Sequence, residues 1–288
     1  MSPPASLIAT IADTARWVAW YRALESERPD AHFHDPYARL LAGQRGQDIV
    51  RSLPWSTWFS WAVVVRTCVF DELIRHLVEQ EGVDLVLNLG AGFDTRPYRL
   101  TLPTRPRWIE VDLPAVLADK EEKLAHIPSV CALERVKLDL TESEARNALF
   151  RCLNAEARQV LVITEGLLLY LPSEQVSTLT RDLHALPQFR WWLTDHIAPT
   201  VLLVEQLIWN SYLAAGNSRM QFAPTEGEQF FAKHGWHIVE CRSALEEAAR
   251  LQCEMPFGWL FRWMVSFYPG VLQDMYRHLI TYLLLHHA

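Results

Sequence analysis

Asn88-Leu89-Gly90-Ala91-Gly92-Phe93-Asp94-Thr95-Arg96 is the stretch on which the fold of this chain turns. The residues before it, Asp84-Leu85-Val86-Leu87, are apolar almost without a break, as in a parallel strand covered on both faces. A strand is therefore expected over residues 84–91. Gly90 and Gly92 then stand where that strand must turn sharply and let a ligand approach the backbone. A glycine pair alone is equally a plain turn between strand and helix, so its surroundings have to discriminate. A dinucleotide fingerprint asks for a third glycine three positions after Gly92, where Thr95 stands. Asp94 also works against a pyrophosphate, which needs free amides at a helix N-terminus; like charges there cost about 1 kcal/mol or more.

An acidic loop suits the opposite kind of ligand, a cofactor carrying a sulfonium and an ammonium. Capping of the next helical turn is the structural alternative for Asp94, and both roles are compatible. Further strands are expected over residues 107–113, 135–139, 159–165 and 189–195, each about a helix length from the next. That alternation is the grammar of an α/β doubly wound parallel sheet, whose ligands bind at the carboxyl ends of the strands. Asp112 closes the second strand, where a carboxylate can hold both ribose hydroxyls of NAD or of S-adenosylmethionine; capping the helix at Pro114 is its alternative role. Asp139 closes the third and suits an adenine amino group. Glu165 closes the fourth. Four coincidental caps explain this row poorly.

Residues 5–27 show helical spacing that Pro29 ends, Asp35-Pro36 reads as a helix start with Asp35 as cap, and residues 57–81 read as a third helix. Later come a helix over 201–215, a turn-rich piece over 216–227, a helix ending near 234–235 and a strand over 236–241. Residues 279–286 fit helix or strand, with strand preferred. The expected sheet is seven-stranded and mostly parallel with helices on both faces. We expect one domain over 1–288, with 1–82 as a helical lid and 83–288 as the core.

Half of the 288 residues are apolar and 21% are charged, with a formal charge of −7. Such a surface repels polyanions, so nucleic acid and anionic membranes are poor partners. The five cysteines are scattered with no CxxC pair, which argues against zinc ligation and a disulfide framework. Neither a basic-then-apolar leader nor a stretch of about 20 apolar residues is apparent, so a cytoplasmic protein is expected. Histidines and carboxylates show no metal-ligand spacing, and a metal-free site is expected.

Several segments together resemble the leucine carboxyl methyltransferase-like family, especially its bacterial branch that includes polyketide-associated O-methyltransferases. They are TARWVAWYRALE (14–25), DPYA (35–38), VRTCVFD (65–71), LGAGFDTRPYRL (89–100), EVDLP (110–114) and TEGLLLYL (164–171), with HGW at 234–236. The resemblance covers roughly residues 12–243, and its glycine-loop and TEGLLLYL segments are specific as a pair. Phe93, where leucine is common, and residues 257–268 depart from the pattern. The resemblance implies a Rossmann-like class I methyltransferase fold and S-adenosylmethionine as cofactor. It also implies that Arg66 pairs with the cofactor's methionine carboxylate and that the backbone from Gly90 through Ala91 to Gly92 approaches the methionyl part, beside Asp94. Asp112 with Leu113 would hold the ribose, Asp139 with Leu140 the adenine, and Glu165 with Gly166 would lie near the ammonium and the acceptor.

The expected reaction is O-methylation of a small apolar or aromatic acceptor, of polyketide or other secondary-metabolite type, on a carboxylate or a phenol. A peptide C-terminal carboxylate, a nicotinamide-dependent oxidoreductase and a non-catalytic binding protein are the alternatives. A carboxylate needs no general base, whereas a phenol gains from one, and His196 is the histidine placed for it. Trp17, Trp20 and Tyr21 suit an aromatic lid, with Tyr170 near the acceptor. Arg16 and Arg22 are candidates to anchor an acceptor carboxylate. Trp55, Trp58 and Trp61 recur at a spacing that reads as a helical stripe. A homodimer is compatible with the sequence.

Overall fold

The computed structural model describes residues 8, 10–103, 105–213 and 219–287, the side chains of 210, 211 and 213 excepted. Three N-terminal helices, α1 (Ile11–Ser26), α2 (Ala38–Ser52) and α3 (Ser60–Gln80), precede the sheet. Then come β1 (Leu85–Leu89), α4 (Arg96–Arg99), β2 (Arg107–Asp112), α5 (Pro114–Leu124), β3 (Ala132–Lys137), α6 (Ser143–Glu156) and β4 (Val160–Thr164). A 3-10 turn (Leu168–Tyr170) leads to α7 (Ser173–His184), β5 (Trp191–Ile197) and α8 (Pro199–Leu213). The chain closes with α9 (Gln229–Ala232), β6 (Trp236–Ser243), α10 (Ala244–Arg250), α11 (Gly258–Val265), α12 (Gly270–Arg277) and β7 (Ile280–His287).

The seven strands form one sheet in the order β3-β2-β1-β4-β5-β7-β6. All neighbours are parallel except at β7, which runs antiparallel to β5 and β6. The terminal segment is thus the expected strand. Residues alternate between two cores: Leu87, Val111 and Val162 face one, while Val86, Trp108 and Leu161 face the other. Both faces are covered, which is why β1 and β4 are buried at every position and read as apolar runs. The strand order reverses between β1 and β4, and that point opens a crevice at their carboxyl ends.

Side chains of the N-terminal helices tie onto the glycine loop. Arg22 Nε donates to Asp35 Oδ2 at 2.9 Å and Arg22 Nη2 donates to the Phe93 carbonyl at 2.5 Å. Thr95 Oγ1 donates to the same Asp35 oxygen at 2.6 Å. Asp71 on α3 accepts from Arg96 Nε at 2.6 Å and from Arg99 Nη1 at 2.5 Å. The bond expected of a cap at Asp35 is also present: its Oδ1 accepts from the Tyr37 amide at 3.2 Å. Its Oδ2 serves Arg22 and Thr95, and the helix itself starts at Ala38 rather than at Pro36.

The expected tryptophan stripe is also corrected. Trp55 lies before the 3-10 turn Ser56–Phe59 with φ +60°, and Trp55 and Trp58 are exposed while Trp61 is buried. The start of the first expected helix (5–7 and 9) and residues 214–218, which fall in the last turn of the expected 201–215 helix and in the turn-rich piece, lie outside the described residues. Among the described residues no helix is long and apolar enough to cross a membrane.

Candidate active site

A cavity of about 250 Å³ opens at the carboxyl ends of β1, β4 and β5, against α1 and α8. Gly90, Ala91 and Gly92 line it. Gly90 has φ +68°, and a Cβ there would sit 2.8 Å from Leu167 Cδ1, so only glycine fits both the turn and the packing. Asp112 Oδ2 accepts from the Gly92 amide at 2.6 Å and its Oδ1 from the Leu113 amide at 2.7 Å. Burial pushes the Asp112 carboxyl above its ordinary range, against those two amides.

A chain of charges runs behind the loop. Arg66 Nε donates to Glu165 Oε1 at 3.0 Å, and Arg66 Nη1 to Asp195 Oδ2 at 2.8 Å. Arg96 Nη1 bridges Glu165 Oε2 at 2.6 Å and Asp94 Oδ2 at 3.1 Å. Burial would raise the Glu165 carboxyl, but Arg96 and Arg66 overcome it and hold the group below the usual range. Asp94 is held low against burial by Arg96, Lys120 and Arg22. Its Oδ1 accepts the Arg96 amide, the first of α4, at 2.9 Å, although Thr95 holds the N-cap position, and Asp94 still lines the cavity. Arg66 Nη2 makes no hydrogen bond among the described residues.

Of the residues singled out in the sequence, Arg66, Gly90, Ala91, Gly92, Asp94, Asp112, Glu165 and Gly166 meet in this cavity, with Trp17, Tyr21 and Tyr170 on its walls. Leu113, Asp139 and Leu140 do not line it. Asp139 lies two residues past β3, and its Oδ1 accepts from the Thr141 amide and hydroxyl at 2.9 and 2.7 Å. Leu140 packs into the core. Tyr21 donates its hydroxyl proton to the Ser56 carbonyl at 2.5 Å, and burial pushes its phenol up to about 12. Burial also raises Tyr170. Neither tyrosine is a base at neutral pH.

Three expectations are corrected. His196 is buried but lies outside the cavity, because side chains alternate along β5: Asp195 and Ile197 face the cavity and His196 the opposite side. Arg16 is outside it as well, bonded to Asp13 at 3.1 Å and Asp119 at 2.6 Å. Trp20 is excluded too and carries Arg39 over its ring, 4.5 Å from the centroid. Arg22 lines the cavity but is neutralised by Asp35.

Sequence reasoning missed Asp195, Glu205 and Trp209, all cavity-lining. Period two along β5 identifies Asp195. Glu205 is the single charged residue of α8, in Pro199-Thr-Val-Leu-Leu-Val-Glu-Gln-Leu-Ile-Trp209, and that isolation was the available signal. Away from the cavity, Glu228, Cys241 and His278 bring ligand-type atoms within 4.8 Å of one another. Glu228 there already accepts from His278 Nδ1 at 2.8 Å and from the Thr281 hydroxyl at 3.0 Å.

A protein from Streptomyces coelicolor named "Putative S-adenosyl-L-methionine-dependent methyltransferase" is 39% identical over 178 residues, 58% of this chain and 62% of that protein. A protein of the same name from Frankia alni is 30% identical over 82% of this chain and 86% of its own. Among solved structures, a DUF574 family protein from Streptomyces avermitilis superposes with a TM-score of 0.62 at 14% identity, over 96% of this chain and 97% of that one. A protein titled a putative methyltransferase, from Thermobifida fusca, gives 0.59 at 17% identity over 100% and 99% of the two chains. These structures share the fold. The profile of "Leucine carboxyl methyltransferase" matches residues 15–184, more than half of the sequence. The chain belongs to the leucine carboxyl methyltransferase family.

Proposed function

We propose that the chain is an S-adenosylmethionine-dependent O-methyltransferase acting on a small-molecule acceptor. One observation carries the reading: a single cavity gathers the glycine loop, the Asp112 carboxylate and the half-committed Arg66 guanidinium at the sheet's reversal point. The donor groups fit the cofactor. Arg66 Nη2 is free to take the methionine carboxylate. Glu165 and Asp94 set a negative potential where an ammonium and a sulfonium would lie. Asp112 keeps lone pairs for ribose hydroxyls beyond the two amides it accepts. Asp139 and Leu140, kept from the resemblance as adenine contacts, would need to reach the base from beside the cavity.

Bound there, S-adenosylmethionine supplies an electrophilic methyl group. The chain supplies position and a dry wall, because an in-line displacement gains most from orientation and exclusion of water. Trp17 and Trp209, with ring centroids 5.1 Å apart and edge to face, build an apolar wall suited to an aromatic acceptor. We assign 1–82 as the lid of a single domain over 1–288, since α1 supplies Trp17 and Tyr21 to that wall. The family's description favours a carboxylate, on a small molecule or a peptide C-terminus, as the second reading of the acceptor.

Calorimetric titration with S-adenosylmethionine and with NADH tests the cofactor. Binding of the first is expected, and tight binding of NADH alone overturns the proposal. Methyl transfer to acids and phenols separates an enzyme from a non-catalytic binding protein.

A further inference from the structure

Glu205 is the cavity-lining carboxylate that the charge network leaves alone. Asp94 and Glu165 are bonded to Arg96, Asp195 to Arg66 and the Gly166 amide, and Asp112 to two amides. Glu205 Oε2, by contrast, is shut off from solvent with no hydrogen-bond partner. Glu205 and Trp209 stand four residues apart on α8, so both reach one cavity wall. A carboxylate oxygen shut off from water without a partner is expensive to keep, and in a residue that lines a ligand cavity it is explained by a donor that arrives with the ligand.

The charges around it point to the kind of donor. Among the described residues, five carboxylates (Asp94, Asp112, Glu165, Asp195, Glu205) and two guanidiniums (Arg22, Arg66) line the cavity. Arg22 is committed to Asp35 at 2.9 Å, and the remaining amine of Arg66 is the one assigned above to the cofactor. Asp94 and Glu165 are already met by Arg96 behind the wall, so an acceptor carboxylate would find no uncommitted cation among the lining residues. A neutral hydroxyl meets a base instead.

We propose that Glu205 is the acid–base residue of this site and that the acceptor is a neutral aromatic hydroxyl. The inference rests on the methyltransferase reading above. The hydroxyl oxygen forms its bond to the methyl carbon while the carbon–sulfur bond breaks, its electron pair going to the sulfonium sulfur. The hydroxyl proton passes to the Glu205 carboxylate, which lines the cavity, and from there to solvent. A phenol suits this base, because an ordinary phenol ionises near pH 10 and an aliphatic alcohol far higher. The groups facing Glu205 support the role: burial pushes its carboxyl up to about 7, with Asp195 on β5 adding to the effect and Arg66 on α3 opposing it. Tyr170, also on the cavity wall, is near enough for the Glu205 charge to add to the rise of its phenol. A base that titrates near the working pH transfers protons best.

The test uses matched probes, 1-naphthol against 1-naphthoic acid and 4-phenylphenol against 4-phenylbenzoic acid, with methyl-labelled S-adenosylmethionine. Label is expected in the hydroxyl member of each pair. In Glu205→Gln, kcat falls by about a hundredfold or more while affinity for S-adenosylmethionine holds, and the rising limb of the pH–rate profile near 7 disappears. Glu205→Asp retains part of the rate and keeps that limb. Label in the acids, label in neither member, or an unchanged kcat in Glu205→Gln overturns the proposal. Failure of the wild type to bind S-adenosylmethionine would instead remove the methyltransferase reading beneath it.

Discussion

Asp112 shows why a single side chain is harder to test than its motif implies. It was legible as the acid closing the second strand, but its grip on the Gly92 and Leu113 amides was not, because such bonds depend on how the loop folds back. Asp112→Ala would orphan both amides, at about 1–3 kcal/mol each, and confuse binding with folding. Asp112→Asn keeps one acceptor, so a fall of about tenfold or more in S-adenosylmethionine affinity with little change in urea midpoint is expected; unchanged affinity refutes the ribose role. Glu205 gives a second expectation at this scale. Its folded carboxyl titrates near 7, above the unfolded value near 4.3. Between those values the folded state holds a proton the unfolded chain has lost, so this group's share of stability declines as pH rises through the window. Glu205→Gln removes the penalty and should gain on the wild type by up to about 3 kcal/mol between pH 4 and 8. Urea midpoints of both proteins at the two pH values decide it, and a constant difference refutes it.

Glycine positions test how the elements hold the site. Gly166, just past β4, has φ +61°, and a Cβ there would lie 3.1 Å from Arg66 Nη1. Gly82, before β1, has φ +71° with nothing within 4 Å of that position. Alanine at either place meets the left-handed penalty of about 1–2 kcal/mol. Only Gly166→Ala also pushes on the guanidinium that bonds Glu165 and Asp195. Similar losses in urea midpoint are therefore expected for both variants, with a clear loss of S-adenosylmethionine affinity in Gly166→Ala alone. Equal affinities would remove Arg66 from the cofactor site. Strand positions were readable at this scale because apolar runs record burial on both faces. Which side chain near a strand's carboxyl end faces the ligand was not: at the end of β5 the histidine, His196, reads as the functional type, while the two-residue alternation puts Asp195 on the cavity side.

At the scale of the molecule, the sheet was legible and the use of aromatic residues was not. Of the 12 tryptophans, Trp55, Trp58, Trp259 and Trp263 are exposed, so their number does not measure the core. Residues 257–268, which fitted no family segment, fall on α11 and the turn after it, where Trp259, Trp263 and Phe267 face solvent. A pattern of apolar residues cannot separate such a surface from a buried helix, because both have the same period. The site itself joins distant segments: α1, α3, four strand ends and α8 all contribute, and the Arg22–Phe93, Thr95–Asp35 and Arg96–Asp71 bonds fasten the N-terminal segment to the glycine loop. A ligand filling that junction binds the folded chain and not the unfolded one. At one hundred times its Kd, S-adenosylmethionine should stabilise the chain by about 2.7 kcal/mol. With an unfolding entropy of about 0.6 kcal/mol per kelvin for a chain of this length, the expected rise in Tm is about 4–5 °C. Glu205→Gln should show the same rise, since the acceptor base does not hold the cofactor, and Asp112→Asn a smaller one at the same concentration. A Tm that ignores S-adenosylmethionine but follows NADH would transfer the cavity to a different cofactor and remove the roles assigned to Arg66 and Glu165.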